Sequence, residues 1–222
     1  MILHPRCGII GQMNTPRLPA VIVALAVIAA TVGFLVARSA LPPPSNSLVL
    51  EQATLLQQPR PLPAFSLLDQ RGETISEQAL SGGWNLVFFG FTNCPDICPM
   101  TLQTLAAVRA RLAREGAQVP GVVFVSVDPQ RDDPQLLGDY VAYFDEDIVG
   151  ITGERDAIAQ LARGMGVAVI IGEARDTGDY DVDHSTAVFL VDPQGRVSAL
   201  FRTPHELEGM VREFNLIVES RG

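Results

Sequence analysis

The order of apolar and polar positions divides the chain into one uncharged stretch near the start and a longer region where short apolar runs alternate with helical patterns. Residues 18–37 (LPAVIVALAVIAATVGFLVA) carry no charge, and about 20 such residues suffice to cross a bilayer as a helix. Further on, residues 65–69 and 73–76 flank Gln70-Arg71-Gly72, which predicts a β-hairpin. Residues 85–91 (NLVFFGF) and 122–127 (VVFVSV) are continuous apolar runs, the pattern of central strands buried on both faces. Between them Leu102, Leu105, Val108 and Leu112 recur at helical spacing and Gly116 supplies a stop. A strand, helix, strand unit of this kind implies a parallel pair.

Two more helices are predicted around 134–144 and 154–164, on either side of a short strand at 148–151. Residues 187–191 and 196–201 flank Asp192-Pro193-Gln194-Gly195, a turn that closes an antiparallel hairpin. A last helix is predicted from a capping box, Thr203 to Glu206, with Pro204 at its first position and a stripe of Leu207, Met210, Val211, Phe214 and Val218. The predicted fold class is an α/β sandwich with a mixed β-sheet.

Charge sharpens the organisation. Arg6 and Arg17 precede the uncharged stretch and no acid does, so the positive-inside rule keeps residues 1–17 as a short cytoplasmic N-terminus and exports everything beyond Arg38. Residues 18–37 are then a transmembrane anchor. Residues 38–60, with Pro42-Pro43-Pro44, form a Pro-rich spacer, and residues 61–222 form the folded domain. A cleaved signal peptide is the alternative, opposed by the length of the run and by Arg38 where a small-residue cleavage site would stand. The net charge is −9, and all 16 cations are Arg. The exported part keeps 13 of them against 25 acids. An acidic domain without a basic run argues against a nucleic-acid-binding surface, and the absence of Lys excludes Schiff-base and P-loop chemistry.

Cys7 lies before the apolar stretch, which leaves the exported domain one pair, Cys94 and Cys98, in C-P-D-I-C. A purely structural disulfide would close a five-residue loop and stabilise by only about 2 kcal/mol on the chain-entropy estimate. Pro99 fits the first helical position, which makes Cys98 the expected N-cap. Both sulfurs would then feel the positive helix end, which favours thiolate. Three intervening residues allow either a disulfide or two thiolates sharing a soft metal. A metal needs a third donor. His4 lies before the apolar stretch, His205 is expected in the first turn of a surface helix, and His184 stands just before the strand at 187–191. On a thioredoxin-like sheet the loop entering that strand comes up beside the cysteine loop, within reach of both sulfurs. Two sulfurs and one imidazole suit copper better than structural zinc, which prefers four closed ligands. Asp179, Asp181 and Asp183 alternate with Tyr180, Val182 and His184, so an extended chain there puts the acids on one face, either as a solvated edge or as a weak anionic funnel for cations.

The segments Gly90-Phe91-Thr92-Asn93-Cys94-Pro95-Asp96-Ile97-Cys98-Pro99, Val127-Asp128-Pro129 with Arg131-Asp132, and Asp183-His184-Ser185 together resemble the Sco/SenC family of copper-delivery proteins. The resemblance runs from about Phe65 to the C-terminal helix. It implies a thioredoxin-like fold behind a single-pass anchor, and copper, as Cu(I) or Cu(II), held by Cys94, Cys98 and His184. It further implies delivery to the copper site of cytochrome c oxidase subunit II, with loading by another copper chaperone as a further implied partner. The lack of a matrix-type presequence pattern and the all-Arg cation usage favour a bacterium over a mitochondrion, so the expected location is a bacterial inner membrane with the domain in the periplasm. Two other readings stay open. One is a thiol-disulfide oxidoreductase working through Cys94 and Cys98 on the oxidase subunit or another exported partner, opposed by Thr186 where thioredoxin-like chains carry a cis-proline. The other is a peroxidase, opposed by the sequence before Cys94.

Overall fold

The computed structural model describes residues 17–40, 50–175 and 179–221, with side chains in the first helix described at 21–36 and 38. The chain divides into two units, Met1–Ser47 and Leu48–Gly222. In the first, α1 spans Arg17–Ala40 and its described apolar side chains are exposed. Among the described residues no helix is long and apolar enough to cross a membrane. The anchor expected over 18–37 reaches past the described side chains at both ends, and the fold does not support it. The expected cytoplasmic segment, with His4 and Cys7, lies outside the described residues apart from Arg17.

The second unit is built on one eight-stranded mixed sheet. Its strands are β1 (Ala53–Pro61), β2 (Ser66–Asp69), β3 (Thr74–Ser76), β4 (Asn85–Gly90), β5 (Gly121–Ser126), β6 (Ile148–Thr152), β9 (Val188–Val191) and β10 (Arg196–Phe201). They lie in the order β1-β10-β9-β4-β5-β6-β2-β3. Strands β4, β5 and β6 are parallel, with Phe88 opposite Phe124 and Phe124 opposite Gly150. The predicted hairpins form as β2–β3 and β9–β10, both antiparallel. Nearly every residue of β4 and β5 is buried, as unbroken apolar runs require of strands covered on both faces.

Helix α2 (Ile97–Glu115) joins β4 to β5, and α3 (Pro134–Ala142) joins β5 to β6. Right-handed crossovers taken in the same direction put both helices on one face, where α5 (Leu207–Arg221) packs against α2. Helix α4 (Arg155–Met165) follows β6. Gly116 ends α2 in the left-handed conformation at φ 68°, a position where a Cβ is costly.

Three expectations need correction. The spacer does not extend to residue 60, because Ala53–Pro61 is a strand on β10. Its prolines are tolerated because β1 is an edge strand. It is held by the Glu213 carboxylate, 1% exposed, which accepts from the backbone N–H groups of Glu51 (2.8 Å), Gln52 (3.2 Å) and Ala53 (2.7 Å). The capping box does not form. Thr203 Oγ1 pairs with Thr186 Oγ1 at 2.6 Å, the Thr203–Pro204 peptide is cis, and α5 opens later, with the Glu206 carbonyl accepting from Met210 N–H. His205 consequently precedes the helix and is half-buried, its Nδ1 3.3 Å from Thr101 Oγ1, and is not a surface residue.

Between β6 and β9 the chain makes a separate two-stranded sheet that the apolar pattern does not reveal. It pairs β7 (Val169–Ile171) with β8 (Val182–His184), placing Val169 opposite His184.

Candidate metal centre

Strand β4 ends at Gly90, and the next eight residues carry both cysteines into α2. A Cβ on Gly90 would lie 2.7 Å from Cys98 Sγ and 2.6 Å from Phe124 Cε2. The sulfur and the ring occupy that space, which only glycine leaves open. Past this point the loop is fastened by a buried carboxylate. Asp132, fully buried, accepts from Thr92 N–H (3.0 Å), Thr92 Oγ1 (2.6 Å) and Ser126 Oγ (2.6 Å). Its own carbonyl accepts from Thr152 Oγ1 at 3.0 Å. The ends of β4, β5 and β6 thus meet on one residue.

Helix α2 begins at Ile97, with Asp96 before it and the Asp96 carbonyl accepting from Met100 N–H at 3.2 Å. Cys98 is therefore inside the first turn and not the N-cap. Pro99 follows it at a position whose N–H needs no intrahelical partner. Cys98 is fully buried and Cys94 is 8% exposed; both thiols are free. Burial pushes the Cys98 thiol well above its usual range, and a backbone hydrogen bond from Phe91 offsets this only in part. The expected thiolate-favouring effect of the helix end is outweighed at Cys98 by desolvation.

His184 arrives from β8. Its Nε2 lies 3.5 Å from Cys98 Sγ, and its Nδ1 lies 3.0 Å from the Ser185 carbonyl. A carbonyl only accepts, so the hydrogen-bond network assigns the proton to Nδ1 and aims the Nε2 lone pair at the sulfur. Burial lowers the imidazole from its ordinary value, which keeps it neutral and able to ligate. Rings of Phe88 and Phe91 meet it edge-on at 6.1 Å and 5.9 Å. One donor atom from each of Cys94, Cys98 and His184 lies within 4.8 Å of the others, a group that could hold a metal ion. The site opens on a cleft of about 380 Å³ bordered by Pro95, Ile97, Asp183 and Thr186. Asp183 is exposed and Asp181 pairs with Arg175, while Tyr180, Val182 and His184 turn inward. The alternation of acids and apolar residues along this segment is the one its spacing predicts.

A family profile described as SCO1/SenC matches residues 54–219. The chain belongs to the SCO1/SenC family. Among relatives of this Sco chain, the mitochondrial SCO2 homologue of mouse is 38% identical over 149 residues, which make up 66% of this chain and 58% of that one. The Sco chain thus spans less than two thirds of that relative. Arabidopsis thaliana ScoI with copper bound is a solved neighbour at 33% identity and TM-score 0.67, covering 71% of this chain and 98% of its own. Yeast Sco1 with copper bound stands at 30% identity and TM-score 0.69, covering 74% and 91%. The fold is the thioredoxin-like α/β arrangement with a mixed sheet expected of this Sco chain.

The roles of Gly90, Asp132 and Thr92 escape single-residue reading. The available signal is the polar run DPQRDD at 128–133, placed just beyond a buried apolar strand.

Two outcomes follow from this geometry. Gly90→Ala drives a methyl group into Cys98 Sγ and Phe124, so chemical denaturation should show a loss of about 1–3 kcal/mol. Metal affinity should fall with it, and an unaltered affinity would mean that the sulfur shifts freely. The second concerns pH. Metal-free Cys98 is protonated near neutrality and a metal ligand must be thiolate, so binding releases a proton. Affinity should rise by about a decade per pH unit from this thiol between about pH 6.5 and 8.5, with the released proton read by calorimetry in buffers of different ionisation heat.

Proposed function

We propose that this chain is a membrane-anchored copper-delivery protein. It holds copper through Cys94, Cys98 and His184 and passes it to the copper site of cytochrome c oxidase subunit II, from the periplasmic face of a bacterial inner membrane. One observation carries the reading: two sulfurs and an imidazole nitrogen within 4.8 Å of one another at the mouth of an open cleft. Membership of the SCO1/SenC family and the copper-bound structures of the plant and yeast relatives support it. Three soft or borderline donors suit copper, and a three-ligand shell leaves room for an incoming donor.

Delivery is ligand exchange without a change of oxidation state. Each copper–sulfur bond broken here is replaced by a bond to a donor of the acceptor. The Cys98 sulfur, costly to leave ionised in its buried position, takes up a proton as the ion departs. That uptake offsets part of the cost of releasing a tightly held metal.

The anchor rests on the uncharged run at 18–37 and on the arginines before it.

The full chain, purified reduced in detergent, should take up one copper ion per molecule. His184→Ala should weaken binding by about 10–100-fold while leaving disulfide reduction of a model substrate nearly unchanged. The reverse pattern would favour the oxidoreductase. Expressed in a bacterium, the chain should stay in the membrane pellet through high-salt washing, and removal of residues 18–37 should release it. A shortened wild-type chain in the soluble extract would mean instead that the segment is cleaved.

A further inference from the structure

Cys94 and Cys98 both stand on the stretch that leads from β4 into α2, whereas His184 comes from a different part of the chain. It belongs to the β7–β8 hairpin, which shares no ladder with the eight-stranded sheet. Its location relative to the two sulfurs therefore depends on what fastens that hairpin to the body. Among the described hydrogen bonds, the contact of His184 with Cys98 is one such link. The others converge on Tyr180, four residues earlier and on the same face of the extended segment. The Tyr180 hydroxyl donates to Asp128, and the Tyr180 carbonyl accepts from Arg131 Nη1 at 3.4 Å.

Both partners are themselves fixed. The Asp128 side chain is 1% exposed and also accepts from Arg131 Nε, while Asp128 N–H donates to Ser126 Oγ at 3.1 Å. The Arg131 guanidinium lies 4.0 Å from the Tyr180 ring centre and 5.8 Å from that of Phe91. Phe91 in turn meets the His184 ring. The stack of Tyr180, Arg131 and Phe91 thus runs from the hairpin to the imidazole along a second path. A guanidinium between aromatic faces and a hydrogen bond to a buried carboxylate each resist displacement of the group they hold.

We propose that Tyr180, clamped by Asp128 and Arg131, is the positioning residue that holds the His184 imidazole within reach of the two sulfurs. This rests on the reading of Cys94, Cys98 and His184 as copper ligands. Tyr180 touches no copper and acts only through the hairpin. Its effect is larger for Cu(II), which relies on imidazole nitrogen, than for Cu(I), which two sulfurs hold well.

The test compares wild type, Tyr180→Phe, His184→Ala and the double variant in the full chain, with Cu(II) and Cu(I) ions titrated against competing chelators. Tyr180→Phe keeps the ring and removes only the donor. It should weaken Cu(II) by about tenfold, shift the electron paramagnetic resonance signature of the bound ion, and leave Cu(I) affinity within about threefold. In the His184→Ala background the same change should cost nothing further. An equal loss in both backgrounds overturns the proposal. In the metal-free chain, amide exchange at residues 182–184 should quicken in Tyr180→Phe with β4 and β5 unaltered; unchanged exchange in the hairpin, or quickening throughout the sheet, overturns it too. Should wild type take up no copper, the copper reading falls while the exchange measurement still decides whether Tyr180 fastens the hairpin.

Discussion

One buried carboxylate holds the centre in place. Asp132 sits beyond the end of β5, and its oxygens accept from the backbone and hydroxyl of Thr92 and from the hydroxyl of Ser126. An anion without solvent is tolerable only when its lone pairs are taken up by donors. The loop that donates from Thr92 is thereby committed to one path, two residues before Cys94. The cysteine loop therefore owes its shape to the strand ends beneath it more than to its own residues. Gly90 makes this possible by leaving room for Cys98 Sγ beside the Phe124 ring. The packed core of β4 and β5 is what gives both contacts a fixed reference.

The two sulfurs serve different ends. Cys98 is sealed beneath the first turn of α2, where its thiol resists ionisation, while Cys94 borders the cleft. His184 is neutral and oriented by the Ser185 carbonyl, the arrangement in which an outer hydrogen bond fixes the tautomer of a ligating ring. A site of this composition binds a soft ion by exchanging protons for it. Its strength is set by burial as much as by the identity of the donors.

Much of this was legible in the chain. The unbroken runs at 85–91 and 122–127 announced the central parallel pair, and Gly72, Gly116 and Gly195 marked turns that form with positive φ. Cys94, Cys98 and His184 stand out because residues 61–222 hold one cysteine pair and two histidines. What stayed hidden depends on partners far along the chain. Residues 53–61 look like a linker because their prolines and glutamines carry no strand signal, and the residue that pins them, Glu213, sits 160 positions from Ala53. The start of α5 differs from the capping pattern because the Thr203 hydroxyl is paired with that of Thr186, a competitor that a local pattern cannot show. The sequence position of Cys98 shows its nearness to a helix end but not its complete enclosure, which is what raises its thiol.

The unequal exposure of the two sulfurs gives the centre a sidedness. An arriving donor meets Cys94 first, and the enclosed sulfur is the last to be approached. For the delivery proposed above, a receiving protein would therefore reach the ion from the Cys94 flank, with the enclosed sulfur behind it.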